Sequence, residues 1–279
     1  MMVKKRSPLG VAAEVLALIV TVLTHWVVFY FIFINACKPR AEAAKLSLVF
    51  PTEWALWENL AYVWNYNNHV FLRSFLNSCI ITVSTMLVLI LVASMAAFVL
   101  QRRGGRLTAA SDKIILAGLT TPLSVIPTYW VLTKLHVANT IPGLVLVEIA
   151  LLFPFSTMLY KSYASSLPKE IDEAAIVDGC GPLRLFFNII FPLMKPITAA
   201  VIILRSVVVY NDFVNPMYFL SGSKSSTVQL CIYTFQSAYS TDWGHLFAAI
   251  VIVCLPPTVL FLALNKKIME GVTMGAVKG

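Results

Sequence analysis

Long apolar runs separated by short polar segments extend along almost the whole chain. Each run is about twenty residues long, and polar and apolar residues do not alternate within it, which favours helices over strands. A helix of this length can cross a bilayer. The pattern predicts a single transmembrane domain, residues 1–279, with six spans at 11–35, 74–100, 113–133, 142–160, 196–220 and 243–265.

Composition supports this interpretation. The chain is 59% hydrophobic and only 12% charged, whereas soluble domains contain about 25% charged residues. In lipid the backbone must satisfy its own hydrogen bonds, so only helices or a closed barrel can cross. We therefore predict an all-α, multi-pass protein of the cell membrane and exclude a soluble domain.

The net charge of +8 is explained by topology rather than by nucleic-acid binding. With the N-terminus inside, fourteen Lys and Arg residues lie on the inner side and six on the outer side. An inner excess of Lys and Arg fixes orientation. We therefore predict that both termini and the loop 161–195 are cytoplasmic, and that the outer segment 36–72 carries interfacial aromatic residues or, alternatively, a cap over an outer mouth.

The sequence shows no motif typical of a metal site or of a catalytic site. The five cysteines and four histidines are scattered without metal-ligand spacing, and no nucleophile–base motif is visible. A phosphate-binding G-x-x-x-x-G-K-[ST] loop is also missing from the sequence. We expect no metal site, no catalytic residues and no cofactor bound by this chain itself.

The polar stretch 169–195 is the strongest functional signal. Glu170, Asp172 and Glu173 favour a helix start, because acidic side chains complement the positive end of the helix dipole. Ser165 or Ser166 is the expected cap, and Gly179 is expected to end the helix. A second amphipathic helix should follow, with an apolar face formed by Leu183, Phe186, Phe187 and Ile190.

Two interpretations of this helix–hinge–helix are open. It is either an amphipathic element on the inner membrane surface or a docking surface for a soluble partner. Anionic lipid would repel the acidic first helix, which favours docking.

The residue spacing in this loop resembles the EAA loop of binding-protein-dependent ABC importer permeases. That pattern is EAA, three residues, Gly, nine residues and I-x-L-P, with Phe191 here in place of the usual Leu. Asn77-Ser78, Arg102 and the C-terminal residues 271–279 are also similar to the family, and this tail resembles its carbohydrate branch, the maltose-type inner permeases. The positions that match the loop or fall within it are Glu173, Ala174, Ala175, Asp178, Gly179, Ile189 and Pro192.

The resemblance implies a type I ABC importer permease fold and a defined set of partners. These are a second homologous permease, two ATPase subunits that hold ATP and Mg, and an extracytoplasmic solute-binding protein. The loop would act as the coupling helix, Glu173 would face a basic group on the ATPase, and Gly275 and Lys278 of the tail would reach the ATPase interface. The chain itself would be a transporter subunit and not an enzyme.

Polar residues predicted to lie inside spans form a candidate substrate pathway. A charge at the bilayer centre costs about 2.5–3.5 kcal/mol on insertion scales, so such residues line pathways or form pairs. Seven-residue spacing puts Arg205 and Asp212 on one helix face. The alternative is that these groups hold helices together or pack against the partner permease. The candidates are Arg205, Tyr210, Asn211, Asp212 and Glu148.

The function predicted on these grounds is the permease subunit of an ATP-driven importer for a sugar or oligosaccharide. A permease for a non-sugar solute is the first alternative. A secondary transporter driven by an ion gradient is the second, although the inverted repeats typical of that class are not visible. An intramembrane enzyme is the third, and it lacks a motif.

Overall fold

The computed structural model describes residues 8–222, 224–235 and 242–276. Every regular element in these ranges is helical, which agrees with the all-α prediction. In chain order the elements are α1 Pro8–Ala36, α2 Arg40–Ala43, α3 Leu56–Arg102, α4 Arg106–Thr120, α5 Val125–Lys134, α6 Ile141–Ala164, α7 Glu170–Val177, α8 Pro182–Arg184, a π-helix Leu185–Ile190, α9 Phe191–Leu193, α10 Lys195–Tyr210, α11 Val214–Phe219, α12 Val228–Phe235 and α13 Trp243–Ala276.

Four of these helices are long and apolar enough to cross a membrane: Gly10–Ala36, Leu56–Arg102, Ile141–Ala164 and Trp243–Leu264. They correspond to the first, second, fourth and sixth predicted spans. A fifth candidate is the pair Pro182–Leu193 and Lys195–Tyr210, which is bent by 74°. In the described part of the chain, length and composition thus support four or five spans where the sequence predicted six.

The predicted third span, 113–133, is not a single helix. α4 ends at Thr120 and α5 begins at Val125, with Thr121 in an extended conformation (φ −83°, ψ 115°). Pro122 explains the break, because proline lacks an N–H and pushes the preceding residue out of the helical region. The two helices have 15 and 10 residues, and each is shorter than the roughly twenty needed to span.

The predicted fifth span, 196–220, also ends early. α10 closes at Tyr210, and a separate short helix, α11, follows from Val214. Asp212 therefore lies in the connecting turn and not on the helix of Arg205. The expectation that these two residues share one helix face is wrong, because the helix between them does not continue.

The described residues belong to two compact units. The first comes from the described residues within Met1–Phe71 and Ile232–Cys254, and the second from those within Leu72–Cys231 and Leu255–Gly279. α3 is irregular near the division, where Asn67, Asn68 and His69 have positive φ values of 44°, 56° and 59°. The single domain 1–279 stays a prediction.

Buried polar groups hold the first unit together. The Lys38 side chain is fully buried, and its ammonium group donates to the Ser47 carbonyl at 2.6 Å, the Ser47 hydroxyl at 3.0 Å and Asn35 Oδ1 at 3.2 Å. The Asn59 amide donates to the carbonyls of Ala36 and Lys38, both at 2.9 Å. A buried ammonium is tolerated when its three donors are satisfied. These bonds fix the segment that follows α1.

The second unit has one continuous apolar core to which the loop 169–195 contributes. Ala175, Leu185, Ile190 and Met194 from the loop are buried in the same cluster as residues of α3, α6 and α10. The loop is therefore packed against the membrane helices as part of the fold. This packing positions its exposed face.

Candidate functional site

The acidic helix α7 begins without a side-chain cap. Its N-cap is Lys169, and Glu170, Asp172 and Glu173 occupy the first turn, as predicted. The predicted serine cap is wrong. The hydroxyls of Ser165 and Ser166 instead donate backward to carbonyls at the end of α6, at 2.6 and 2.8 Å. The backbone makes an extra turn between these serines and α7, so they are too early in the chain to reach its first N–H groups.

Gly179 ends α7 as the sequence predicted. Its φ of +76° is in the left-handed region. The Gly179 N–H donates to the Ile176 carbonyl and the Cys180 N–H to the Ala175 carbonyl, both at 2.9 Å. This pair of bonds is the Schellman motif, in which glycine is favoured because it lacks a Cβ.

An ion pair ties α7 to the end of α3. Arg102 Nε lies 2.6 Å from Asp172 Oδ2, and the two side chains are only 11% and 12% exposed. Arg102 Nη2 donates to Asp172 Oδ1 at 3.5 Å and to the Leu167 carbonyl at 3.1 Å. Sequence reasoning missed this role of Asp172, although Arg102 had been noted as similar to the family. One arginine thus holds both α7 and the segment before it.

The side of α7 opposite this ion pair is open to solvent. Glu173, Ala174, Ile176, Val177 and Asp178 are exposed, and Val177 reaches 87%. Ala175, in contrast, is 6% exposed and packs into the core. The three residues of the EAA motif therefore divide between two faces of the helix. We name the exposed set Glu173, Ala174, Ile176, Val177 and Asp178 the α7 outer face.

The second half of the loop differs from the predicted regular helix, because Leu185–Ile190 is a π-helix. Phe186 is buried and contacts the rings of Phe98 and Phe191, with centroids 5.8 Å away in each case. Phe187 is 43% exposed, so only Phe186 of the predicted aromatic face attaches the loop to the core.

Four other residues of the second half of the loop differ in their exposure. Ile190 is buried, and Leu183 is 64% exposed. Ile189 and Pro192 of the EAA pattern are half-buried.

The structure brings together two of the five candidate pathway residues. Glu148 is 2% exposed, and its Oε1 accepts a hydrogen bond from Asn215 Nδ2 at 3.0 Å. Asp212 Oδ1 accepts from the backbone N–H groups of Val214, at 2.8 Å, and Asn215, at 3.3 Å. Asn215 therefore contacts both carboxyl groups, Glu148 through its side-chain amide and Asp212 through its backbone N–H. This cluster joins α6 to the start of α11.

The other candidates have different surroundings. The Arg205 guanidinium lies over the ring of Phe155, with its Cζ 4.2 Å from the ring centroid. Asn211 donates to the Val207 carbonyl at 3.0 Å, and its Oδ1 accepts from Gln229 Nε2 at 3.1 Å. Tyr210 is 4% exposed.

Tyr210 also lines an apolar cavity of about 170 Å³, together with Cys79, Thr82, Val83, Ser206, Val207, Pro256, Pro257 and Leu260. The role of all five candidates in a substrate pathway stays a prediction.

Asn77 and Ser78, which the sequence had marked only as similar to the family, organise the segment before α12. Asn77 Nδ2 donates to the carbonyls of Lys224 and Ser226, at 3.0 and 2.9 Å. Ser78 Oγ accepts from the N–H of Val228, the first residue of α12, at 2.9 Å. α3 therefore supplies an acceptor for the first N–H of α12, in addition to the Thr227 hydroxyl, which accepts from the Leu230 N–H at 3.5 Å. No spacing rule connects residues this far apart in the chain.

The remaining candidates add no further chemistry. Among the residues that the structure describes, no group of three His, Cys, Asp or Glu side chains could hold a metal ion. Gly275 falls near the end of α13, and Lys278 lies outside the described residues. Their contact with an ATPase stays a prediction.

The fold and the loop define the class: a multi-pass helical membrane protein with a packed polar loop. The chain belongs to the family described as binding-protein-dependent transport system inner membrane component, whose model matches residues 60–272. It is thus an ABC transporter permease, the membrane component of such a system.

Named relatives support this assignment. The chain is 32% identical to the melibiose/raffinose/stachyose import permease protein MelC of Bacillus subtilis, over 91% of this chain and 92% of MelC. It is also 32% identical to the diacetylchitobiose uptake system permease protein NgcG of Streptomyces coelicolor, over 88% and 82%.

A solved structure supports the fold. The crystal structure of a bacterial ABC transporter that imports the acidic polysaccharide alginate superposes with a TM-score of 0.81 at 19% identity, covering 94% of this chain and 99% of that one. At this identity the likeness concerns the fold alone.

Proposed function

We propose that this chain is a permease subunit of an ATP-driven importer for a sugar or oligosaccharide. The names of relatives that align over nearly the whole chain support a carbohydrate cargo. The permease would form half of the translocation pathway and pair with a second homologous permease. An extracytoplasmic binding protein would deliver the cargo, and two ATPase subunits would bind and hydrolyse ATP with Mg.

The observation that carries the proposal is the α7 outer face. It presents the Glu173 carboxylate beside exposed Ile176 and Val177, while the opposite side of α7 is fixed by the Arg102–Asp172 ion pair. Apolar residues exposed beside a charge suit a protein partner. In the proposed mechanism the ATPase binds this face, and its motion reaches the core through Ala175, Ile190 and Phe186.

We further propose that six spans cross the membrane, with both termini and the loop 161–195 on the cytoplasmic side. α4 and α5 together would form a third span interrupted at Pro122, and the bent pair of 182–193 and α10 would supply the fifth. A break inside a membrane is tolerated where neighbouring helices satisfy the freed backbone groups. The excess of Lys and Arg supports the orientation.

A transport assay tests the proposal. The assembled importer, reconstituted in liposomes with its binding protein, should take up labelled melibiose, raffinose or a chitobiose derivative only when the ATPase side receives ATP. Uptake should persist in the presence of a protonophore. Sugar uptake that requires an ion gradient and ignores ATP would contradict the proposal, and so would uptake of amino acids but of no sugar.

A further inference from the structure

A cavity of about 460 Å³ opens where the polar loop bends into α10. Its walls are mostly apolar, and its two polar side chains are the Lys195 ammonium group and the Thr198 hydroxyl. The lining residues are Phe191, Pro192, Lys195, Pro196, Thr198, Ala199, Ile202 and Leu264. The volume is in the range of small-molecule sites, which is about 300–1,000 Å³.

The two polar side chains of this cavity differ in whether they already have bonding partners. The Thr198 hydroxyl is already bonded, because it accepts from the Tyr160 hydroxyl at 3.0 Å and donates to the Met194 carbonyl at 2.9 Å. Lys195 is exposed, and no carboxylate in the described ranges forms an ion pair with it. Among the described residues, the cavity therefore offers one positive charge that no carboxylate neutralises, beside an apolar interior.

The positions of Lys195 and Ile202 on α10 indicate how long the cavity is. Lys195 is the first residue of α10, directly after the 74° bend. Ile202 lies seven residues further along the same helix, which is about 10 Å at the rise of an α-helix. The cavity thus extends from a charged edge along two turns of an apolar helix. An occupant that matches it has an anionic head and a hydrocarbon tail.

We propose that this cavity binds an anionic phospholipid, with the phosphate at Lys195 and an acyl chain between Ile202 and Leu264. Charge complementarity selects this occupant, because anionic lipids favour basic residues at the inner membrane surface and basic pockets between membrane helices. The site is independent of the cargo. Pro192 of the loop 169–195 lines the cavity, so the lipid would contact the bend through which this loop joins α10.

Lipid binding to the purified, delipidated full-length chain tests the proposal by native mass spectrometry. Phosphatidylglycerol and phosphatidylcholine with identical acyl chains are the probes. The wild-type chain should bind phosphatidylglycerol about fivefold more tightly than phosphatidylcholine, which is the effect of one lysine near a phosphate. Lys195→Gln should remove this preference, and Ile202→Trp should reduce binding of both lipids by filling the cavity.

Lys113→Gln is the matched control, because it removes the same charge from α4 on the same predicted side without touching the cavity. It should keep the preference. An equal loss in Lys113→Gln and Lys195→Gln would overturn the proposal, since it would mean attraction by overall charge only. A preference that survives Lys195→Gln would also overturn it. So would a wild-type chain that binds no lipid and forms a dimer, because a second copy would then fill the cavity.

Discussion

At the scale of single residues, Gly179 determines how α7 ends. Its φ of +76° permits the two bonds that close the helix, and a Cβ placed on it would meet no atom within 4 Å. The effect of an alanine at this position must therefore come from backbone conformation and not from a steric clash.

We expect Gly179→Ala to loosen the end of α7. An alanine in the left-handed region costs about 1–2 kcal/mol, which corresponds to a roughly 5- to 30-fold change in a local opening equilibrium. Hydrogen exchange of a peptide covering 170–182 should speed up by this factor. Gly181→Ala is the control, because Gly181 is extended (φ −72°, ψ 160°) and has equally open space. Equal exchange in both variants would contradict the account.

The Arg102–Asp172 pair provides a second test at this scale. Removing one partner of a buried pair leaves an uncompensated charge and costs about 3–5 kcal/mol, so Asp172→Asn should clearly lower the thermal unfolding temperature in detergent. Asp112→Asn is the comparison, because the Asp112–Lys161 pair has the same 2.6 Å distance but is about 30% exposed. An exposed pair contributes only about 0–1 kcal/mol. Equal losses in the two variants would contradict the anchoring role of Arg102.

The residues of α7 show which features of this helix could be predicted from the sequence. Acidic residues at 170, 172 and 173 predicted the first turn of the helix and the glycine at 179 its end, because dipole and left-handed preferences are local. The cap before the first turn was not predicted correctly. The sequence did not predict that the Asp172 side chain is buried whereas the Glu173 side chain is exposed. It depends on Arg102, which is seventy residues earlier and approaches only in the fold.

At the level of helices, hydropathy predicted where the long apolar helices lie but did not predict where two of the segments are interrupted. Three of the four long apolar helices lie within a few residues of their predicted positions, because the length of an apolar run sets the length of a span. The fourth, α3, begins at Leu56, eighteen residues before the predicted start of the second span. The segments 113–133 and 196–220 were each predicted as one helix and are each divided. Pro122 explains the first division, whereas the turn at residues 211–213 is stabilised by Asp212 and the polar contacts of α11.

The link from α3 to the segment before α12 gives a prediction at this scale. Asn77→Ala removes two hydrogen bonds to the carbonyls of Lys224 and Ser226, and each bond contributes about 0.5–1.5 kcal/mol. Hydrogen exchange of a peptide covering 224–235 should become several-fold faster. Asn65→Ala is the control, since the Asn65 amide donates only within its own helix, to the Ala61 carbonyl. Unchanged exchange in Asn77→Ala would show that the link does not hold this segment.

In the whole molecule, two features bear on function: membership of a transporter family and one exposed surface on α7. The family match over residues 60–272 makes the chain a membrane component of a binding-protein-dependent transporter. The α7 outer face is the exposed part of a loop that is otherwise packed into the core. Our central claim is that this face receives the motion of an ATPase and passes it to the membrane helices.

Glu173→Lys in the co-purified importer tests this claim most directly, with ATP-driven sugar uptake in liposomes as the measurement. Glu173 is exposed, so the reversed charge should leave assembly of the two permeases intact, as size-exclusion chromatography can verify. We predict that uptake is lost, that Glu173→Gln keeps part of it, and that Glu53→Lys, the same reversal on the predicted outer side, keeps all of it. Wild-type uptake by an assembled Glu173→Lys importer would contradict the account.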